Sequence, residues 1–287
     1  MSASAEILSH VHRLPSFPAS AARLASLLHD ERAGAPEVEK VIRPDPALTA
    51  SLLRIAASAY FSPRNRPETV RQAVTLLGVK RTFEVATGAA LASMIPARLP
   101  GYDMEARTFW LHCVAVAVFS ERLAREVGGR SPDLLFTAGL LHDIGKLVIS
   151  AFVQRESPSI LLRARQGMDF SAAEREVLGV DHAEVGAHVA ASWHLPDPVV
   201  WAARWHHRPA SATPIADRSL VDLVHAADVL AISLGMGTDT GELARSVDPE
   251  AWIRLGLSNR RMEAVASEGL QAVKELAAAL GEVREAK

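Results

Sequence analysis

Near the middle of the chain, an apolar segment is interrupted by two adjacent polar residues, in the order Leu140-Leu141-His142-Asp143-Ile144-Gly145-Lys146. The adjacent His142 and Asp143 offer an imidazole nitrogen and a carboxylate oxygen, a mixed pair of ligands that suits Zn, Fe, Mn or Ni. Apolar residues flank this pair, so burying it in a helix would be costly unless each polar group has a partner. A divalent ion is one such partner. A His–Asp hydrogen bond that merely ties two helices together is the alternative, and this stretch alone does not decide between them.

The surrounding sequence predicts an all-α fold of roughly a dozen or more helices, because helical periodicity dominates and strand alternation is nearly absent. Three helices are predicted to begin where a capping side chain precedes a proline, at Asp45-Pro46, Ser131-Pro132 and Asp197-Pro198. Two more are predicted to begin at capping boxes, formed by Ser171 with Glu174 and by Asp181 with Glu184. Helix ends are predicted at Gly78, Gly128-Gly129 and Gly235.

The composition argues against several classes of partner. The chain has 287 residues, of which 49% are hydrophobic, and its formal net charge is -2. A protein so close to neutrality has no global field that favours nucleic acid, and basic residues such as Arg43 and Arg81 alternate with acidic ones such as Asp45 and Glu84. No apolar run reaches the ~18 residues of a membrane span without a charge. The single cysteine, Cys113, suits a reducing compartment, so we expect a cytoplasmic protein without membrane or nucleic-acid partners.

Three parts can be distinguished along the chain. Residues 1–100 hold short helices separated by proline-bearing turns, and the segment from Met94 to Asp103 is predicted to be a connector because proline and glycine interrupt it. Residues 101–240 hold longer helices and every clustered histidine. Residues 241–287 form a C-terminal extension in which the segment from Ser258 onward is predicted to be one amphipathic helix that carries no site.

Polar side chains with metal-binding chemistry recur on several helices of the second part, in the order His112, His142-Asp143, His182, His206-His207 and Asp228. Each has an ordinary explanation when taken alone. A mid-helix histidine is more often a satisfied core residue, a histidine at a helix end complements the helix dipole, and Asp228 could pair with His225. Their joint occurrence in apolar surroundings is better explained if they are buried together, because buried polar groups need mutual partners.

This ordered set of residues resembles the HD superfamily of metal-dependent phosphohydrolases. The resemblance implies core metal ligands at His112, His142, Asp143 and Asp228. In the HD-GYP branch, further histidines build a two-metal site, and the matching positions here are His182, His206 and His207. By the same resemblance, Asp143 would bridge the two ions and Lys146 would contact substrate phosphate, so both are the candidate catalytic residues.

One branch, the HDOD (HD-related output domain) family, resembles the chain over roughly residues 6–235. The similarity is carried by ordered motifs, namely Leu14-Pro15-Ser16-Phe17-Pro18, Ile42-Arg43-Pro44-Asp45-Pro46, Gln72-Ala73-Val74-Thr75-Leu76-Leu77-Gly78 and Asp181-His182-Ala183-Glu184-Val185-Gly186. It implies an N-terminal multi-helix HDOD lobe packed on an HD-type helical domain. HDOD domains are generally regarded as regulatory output modules, and many have lost their metal ligands, whereas all seven candidate positions are filled here.

The chain also departs from the HD-GYP pattern. His206 and His207 are followed by Arg208-Pro209-Ala210-Ser211, without the Gly-Tyr-Pro segment tied to cyclic di-GMP turnover. Hydrolysis of cyclic di-GMP is therefore disfavoured.

Three functions stay open at this point. The first is a signal-transduction output protein with one or two divalent ions (Fe, Mn, Zn or Ni) and a signalling protein as partner. The second is a metal-dependent phosphohydrolase that acts on a nucleotide or other phosphoester, and the third is a metal-free interaction scaffold. A metal centre would also need hydrogen-bond partners for the imidazole N–H groups, and Asp181 and Glu184 are near in sequence.

Overall fold

The chain folds almost entirely into α-helices, which confirms the predicted fold class. The computed structural model describes residues 3–28, 30, 32–58, 60–61, 66–128, 134–213, 215, 218–237 and 248–280. Five helices form the N-terminal part: α1 (Ala3–His10), α2 (Ala19–Leu27), α3 (Ala35–Ile42), α4 (Pro46–Ala56) and α5 (Val70–Met94). The remaining helices are α6 (Ala106–Glu126), α7 (Leu135–Leu141), α8 (Lys146–Arg155), α9 (Ser157–Arg165), α10 (Phe170–Leu178), α11 (His182–Ser192), α12 (Asp197–Trp205), α13 (Ser219–Ser233), α14 (Pro249–Leu255) and α15 (Asn259–Leu280).

A two-stranded antiparallel hairpin occupies the predicted connector between the first two parts. Strand β1 (Arg98–Leu99) pairs with β2 (Met104–Glu105), and a short 3-10 turn at Pro100–Tyr102 joins them. The backbone at Gly101 lies so close to α8 that an added Cβ would come within 2.2 Å of the Ser150 carbonyl oxygen. The connector is therefore an ordered element that carries Tyr102 into the core.

The predicted helix starts had mixed outcomes. Asp45 and Asp181 cap α4 and α11, since their carboxylates accept hydrogen bonds from the backbone N–H groups of Leu48 and Glu184. The Ser171–Glu174 capping box is wrong: both residues lie inside α10, and the Glu174 carboxylate is drawn into the core, where it accepts a hydrogen bond from the His182 backbone.

Two other predicted helix starts lack the expected side-chain caps in full or in part. Asp197 is the first residue of α12 and makes no side-chain cap, because the chain enters the helix one residue earlier, at Pro196. The Glu184 side chain pairs with Arg175 rather than with the start of its own helix, so the second capping box is only half formed. The predicted start at Ser131-Pro132 lies outside the described residues, as does Gly129.

The predicted glycine stops mark true breaks in helical geometry. Gly128 and Gly235 follow the ends of α6 and α13 with φ values of +73° and +72°, a conformation that favours glycine. Gly78 has φ 77° and ψ 172°, and it kinks α5 so that two helical segments meet there instead of ending the helix outright. The sequence therefore located the break correctly but did not reveal that a second segment would continue from it.

Helix α6 lies at the centre of the packing. It contacts α7, α13 and α15, and most of its side chains from Ala106 to Ala124 are buried. Helices α2, α3 and α4 pack on α5 in the N-terminal part, and α15 contacts both α6 and α4. The buried apolar residues form a core that extends from Ile7 to Leu280. The division of the chain near residues 100 and 240 stays a prediction.

One stretch of the described chain, Leu135–Arg155, is long and apolar enough to be compared with a membrane span. It is mostly buried inside the protein, it comprises α7 and α8 with a turn between them, and it contains His142, Asp143 and Lys146. Its apolar character is therefore explained by its place in the core.

Candidate metal centre

Four helices and one turn bring the predicted polar residues to one place. His112 lies on α6, the turn between α7 and α8 supplies His142 and Asp143, and α11 begins with His182; the end of α12 supplies His206 and His207, and α13 supplies Asp228. Each of these positions except His207 is 0–1% exposed, and His207 is half-buried.

Two glycines allow this convergence. An added Cβ at Gly139 would lie 2.8 Å from Ala117 Cα, so α7 can approach α6 only because Gly139 has no side chain. At Gly145 an added Cβ would lie 2.0 Å from the carbonyl oxygen of His182 and 2.5 Å from the Gly186 nitrogen. Gly145 therefore permits the contact between the start of α8 and the start of α11 that places His182 beside Asp143.

The cluster consists of two groups whose ligand atoms lie within 4.8 Å of one another in each group: His112, His142 and Asp228 in one, and Asp143, His182, His206 and His207 in the other. Asp143 lies between them. Its Oδ2 is 3.5 Å from His112 Nε2 and 3.4 Å from His142 Nε2, while its Oδ1 is 3.4 Å from His182 Nε2 and 3.5 Å from His206 Nε2. Each oxygen of one carboxylate thus faces one group.

Hydrogen bonds fix which nitrogen of each imidazole faces the centre. His112 Nδ1 donates to the Met236 carbonyl at 2.9 Å and His142 Nδ1 donates to the Gly139 carbonyl at 2.7 Å. His206 Nδ1 donates to the Ala203 carbonyl at 2.9 Å. Because a carbonyl oxygen only accepts, the proton of each neutral ring lies on Nδ1 and the Nε2 lone pair points inward.

These inward lone pairs fit a divalent cation. The Nε2 atoms of His112 and His142 are 3.2 Å apart, and two acceptors at that distance repel unless a proton or a cation lies between them. Asp143 Oδ1 and His206 Nε2 are buried without a hydrogen-bond partner, which is costly in a protein interior. Neutral imidazoles and carboxylates are ligands that Zn, Fe, Mn and Ni share, so the donor set fits these ions without choosing among them.

Without an ion, protons on the imidazoles would have to balance the negative charges of Asp143 and Asp228. Burial opposes protonation of His112, but hydrogen bonds to Asp143 and Asp228 raise its pKa to about 10. Burial likewise opposes protonation of His182, yet Glu174 raises its pKa to about 9. For His206, burial dominates and lowers the pKa to about 4. The cluster therefore attracts positive charge strongly, as a cation-binding site must.

Sequence reasoning missed the residues that hold His182. Glu174 is fully buried, and its Oε2 accepts hydrogen bonds from His182 Nδ1 at 2.7 Å and from the His182 backbone at 2.9 Å. Tyr102 of the hairpin donates its hydroxyl to Glu174 Oε1 at 2.6 Å. The predicted partners Asp181 and Glu184 pair instead with Arg175. The sequence around Glu174 gave no distinct signal for this role, because its spacing from Ser171 equally matches a capping box.

Lys146 is buried within the cluster and does not reach the surface. Its Nζ lies 2.8 Å from Asp143 Oδ2 and 5.2 Å from the centre of the Tyr102 ring. Burial opposes ionisation of Asp143, but Lys146 and the neighbouring histidines hold its pKa well below the usual range. The predicted contact between Lys146 and a substrate phosphate stays a prediction.

Other predicted residues play structural parts. His225, considered as a partner for Asp228, donates through Nδ1 to the His206 carbonyl at 2.6 Å and so steadies the end of α12. Cys113 is buried, and it does not belong to either described group of metal-binding residues. Trp193 stacks on Phe17, with ring centres 5.2 Å apart. Arg81 and Glu84, two of the alternating charges noted in the sequence, form an ion pair in which Glu84 is buried.

The fold and the cluster together define an all-helical protein with a buried histidine–aspartate centre suited to divalent ions. The sequence profile of the HDOD domain matches residues 14–209. The chain therefore belongs to the HDOD family.

Solved structures agree with this assignment. The chain is 25% identical to an HDOD domain protein of unknown function from Geobacter sulfurreducens, with a TM-score of 0.74 and coverage of 97% of this chain and 98% of that one. It is 26% identical to a protein from Shewanella amazonensis named "Putative phosphohydrolase", with a TM-score of 0.72 and coverage of 97% and 99%.

A curated relative extends beyond the chain. An uncharacterized protein of Treponema pallidum is 25% identical over 249 residues, which make up 85% of this chain and 47% of the relative. The chain thus spans about half the length of the curated relative it matches.

Proposed function

We propose that this protein is a regulatory output protein of bacterial-type signal transduction that holds one or two divalent ions in a closed, structural or sensory centre. The observation that carries the proposal is the burial of the cluster: His112, His142, Asp143, His182, His206 and Asp228 are each 0–1% exposed. A structural metal site is closed by protein ligands, whereas a catalytic site keeps a position open for water and substrate.

The proposed ligands are His112, His142 and Asp228 for one ion and His182, His206 and His207 for a second, with Asp143 shared between them. A bound ion would supply folding free energy by joining α6, α11, α12 and α13 through one centre. The protein's own groups prepare the site, because the carbonyls of Met236, Gly139 and Ala203 hold three imidazoles in the tautomer that an ion requires.

The partner in this proposal is another signalling protein, met by the helical surface of the molecule in the cytoplasm. The family assignment supports a regulatory role for this protein. The name of the Shewanella amazonensis structure is compatible with a phosphoester ligand.

A second candidate function is a metal-dependent phosphohydrolase acting on a nucleotide or another phosphoester, with cyclic di-GMP disfavoured. The geometry of Asp143 favours it, since each carboxylate oxygen faces one group of histidines as a bridging ligand would. Lys146 Nζ lies 2.8 Å from Asp143 Oδ2, and it would keep this carboxylate ionised and in place. In such an enzyme the histidines and aspartates of the cluster would hold two ions, whose chemistry would be to lower the pKa of a water nucleophile for phosphoester hydrolysis.

Turnover by ion-loaded protein separates the two functions. The protein is loaded with Mn, Fe, Zn or Ni and incubated with a panel of nucleotides, cyclic nucleotides and phosphomonoesters, and phosphate release is measured beside an Asp143→Asn variant. The regulatory proposal predicts bound ion with no release above the variant. Release that depends on the ion and is lost in Asp143→Asn would overturn it in favour of the enzyme.

A further inference from the structure

One ligand of the candidate metal centre is more exposed to solvent than the others. Six of the seven candidate ligands are 0–1% exposed, whereas His207 is half-buried. His207 lies in the turn that follows α12, outside regular secondary structure. An ion that enters or leaves a buried centre needs a local opening, and openings of low cost occur in turns rather than in core helices. The shortest route between solvent and the centre therefore passes His207.

The neighbouring ligand in the same turn is held firmly. His206 Nδ1 donates to the Ala203 carbonyl at 2.9 Å, and His225 on α13 donates to the His206 carbonyl at 2.6 Å. The ring and the backbone of His206 are thus both fixed, by α12 and by α13. A movement that opens the centre on this side has to begin at His207 or after it.

The residue after His207 ties the turn to the start of α11. Arg208 Nη2 donates to Asp181 Oδ2 at 3.1 Å, and Asp181 directly precedes His182. The Nε2 atoms of His182 and His207 are 2.5 Å apart. The ion pair therefore joins the same two segments of the chain as the contact between the two ligands, one residue away from it. While Arg208 and Asp181 are paired, the turn keeps His207 against His182.

The two partners of this ion pair differ in how firmly they are held. Asp181 is 1% exposed, its Oδ1 accepts a hydrogen bond from the Glu184 backbone, and its Oδ2 accepts one from Arg175 at 2.8 Å. The Arg208 side chain is 41% exposed. Because Asp181 keeps its other donors, departure of Arg208 does not leave a buried charge unpaired. The pair can therefore open at modest cost while α11 and His182 stay in place.

We propose that ions enter and leave the centre at His207, and that the Arg208–Asp181 ion pair controls this passage. Release of Arg208 frees the turn after α12, so that His207 moves away from His182 and the ligands behind it become accessible. Formation of the pair closes the centre again. This inference rests on the proposed metal centre and adds to it the route by which ions exchange and the residue that regulates their exchange.

The exchange kinetics of the full chain loaded with Zn²⁺ test the proposal. Release is followed by stopped flow into a chromophoric chelator, at concentrations where the rate no longer depends on the chelator, and the dissociation constant is measured by competition titration. In Arg208→Met we expect release at least about threefold faster, as loss of a partly exposed, charged hydrogen bond predicts. The dissociation constant should change less than about twofold, because easier opening speeds uptake by the same factor as release.

Arg175→Met is the matched control. Arg175 donates to the same carboxylate, but its other partner is Glu184 on α11, so it does not hold the turn after α12. This variant removes one positive charge, as Arg208→Met does, and should change the release rate less than about twofold. Thermal unfolding checks that each variant folds, and Arg208→Ala keeps the test decisive if Arg208→Met does not fold.

The possible failures are distinguishable. Wild-type release from Arg208→Met, or equal acceleration in Arg175→Met, would overturn the control of passage and leave the metal centre intact. A dissociation constant that rises as much as the release rate would overturn it too, because Arg208 would then only steady His207 in the bound state. Wild-type protein that binds no Zn²⁺ at equilibrium would overturn this inference together with the proposed centre.

Discussion

His112 shows how backbone geometry prepares a side chain for an ion. Its Nδ1 donates to the Met236 carbonyl, and the following residue, Gly237, lies against its ring. An added Cβ at Gly237 would come within 2.4 Å of His112 Cβ and 2.5 Å of its Cγ. The segment after α13 therefore fixes both the tautomer and the position of His112 Nε2.

This contact makes Gly237 a test of the centre. Gly237→Ala should displace His112 and reduce the bound ion per chain at least about tenfold at limiting metal, as loss of a supporting contact predicts. Gly235→Ala is the matched control, because Gly235 also has a positive φ but nothing lies within 4 Å of its added Cβ. Both variants should lose about 1–2 kcal/mol from the left-handed backbone. Equal ion content in the two variants would contradict this account of His112.

Glu174 should act through His182. Glu174→Gln keeps the shape of the side chain but removes the charge that holds the imidazole, so ion affinity should fall about 10–100-fold in a competition titration against a chelator. Glu176→Gln, on the same helix, replaces a half-exposed acid that pairs with Arg163 and should leave the affinity unchanged. If the two variants bind the ion equally, Glu174 does not position His182.

The sequence indicated His112, His142, Asp143 and Asp228 as polar residues in apolar surroundings, and the resemblance to the HD superfamily added His182, His206 and His207. The sequence could not indicate Glu174, Tyr102 or Gly237, since their parts depend on which helices meet. Glu174 lies eight residues before His182, and Tyr102 reaches it from a different part of the chain. Only the packing of the hairpin and α10 against α11 brings these groups together.

At the level of secondary-structure elements, α15 shows most clearly what the structure adds to the sequence, namely the partners against which a predicted helix packs. The pattern indicates an amphipathic helix, and the helix lies where expected. Its partners were not predictable: Trp110 on α6 donates to the Ala277 carbonyl at 3.1 Å, and Arg54 on α4 donates to the Ala279 carbonyl at 2.8 Å. Gly269 lies so close to Phe119 that an added Cβ would be 2.5 Å from its ring. This helix therefore joins the two preceding parts of the chain.

Removing apolar contact from α15 should destabilise the whole protein. Leu276→Ala empties a position that is 3% exposed, and we expect a loss of about 2–5 kcal/mol in the free energy of unfolding measured by denaturant titration. Leu162→Ala removes the same atoms from a position on α9 that is 56% exposed and should cost less than about 0.5 kcal/mol. A small loss for Leu276→Ala would mean that α15 is not part of the core.

Helix starts illustrate why local signals succeed or fail. Asp45 and Asp181 cap their helices because nothing else competes strongly for the carboxylate oxygen that accepts the N–H. Ser171 and Glu174 match the same pattern, but the buried imidazole of His182 offers Glu174 a stronger partner than the backbone does. A tertiary contact thus overrides a local preference where the residue is needed elsewhere.

At the scale of the whole molecule, the buried acid Glu84 should shape the pH dependence of stability. Burial raises its pKa to about 7, although Arg81 opposes the rise, so the folded state holds a proton that the unfolded state has released. The contribution of Glu84 to the free energy of unfolding should therefore fall as pH rises from about 4.5 to about 7 and stay constant above that. Glu84→Gln should show a flatter profile over this window. Exposed Glu68→Gln should follow the wild type; identical profiles for all three would refute the shift.

The convergence of His112, His142, Asp143, His182, His206, His207 and Asp228 on one buried centre is the central feature of the molecule. Its most direct test is elemental analysis of protein purified without added metal, compared with an Asp143→Ala variant. We expect about one or two divalent ions per wild-type chain, strongly reduced ion content in the variant, and a lower unfolding temperature once a chelator has removed the ion. Wild-type protein that contains and takes up far less than one ion per chain, and unfolds at the same temperature with and without chelator, would contradict it.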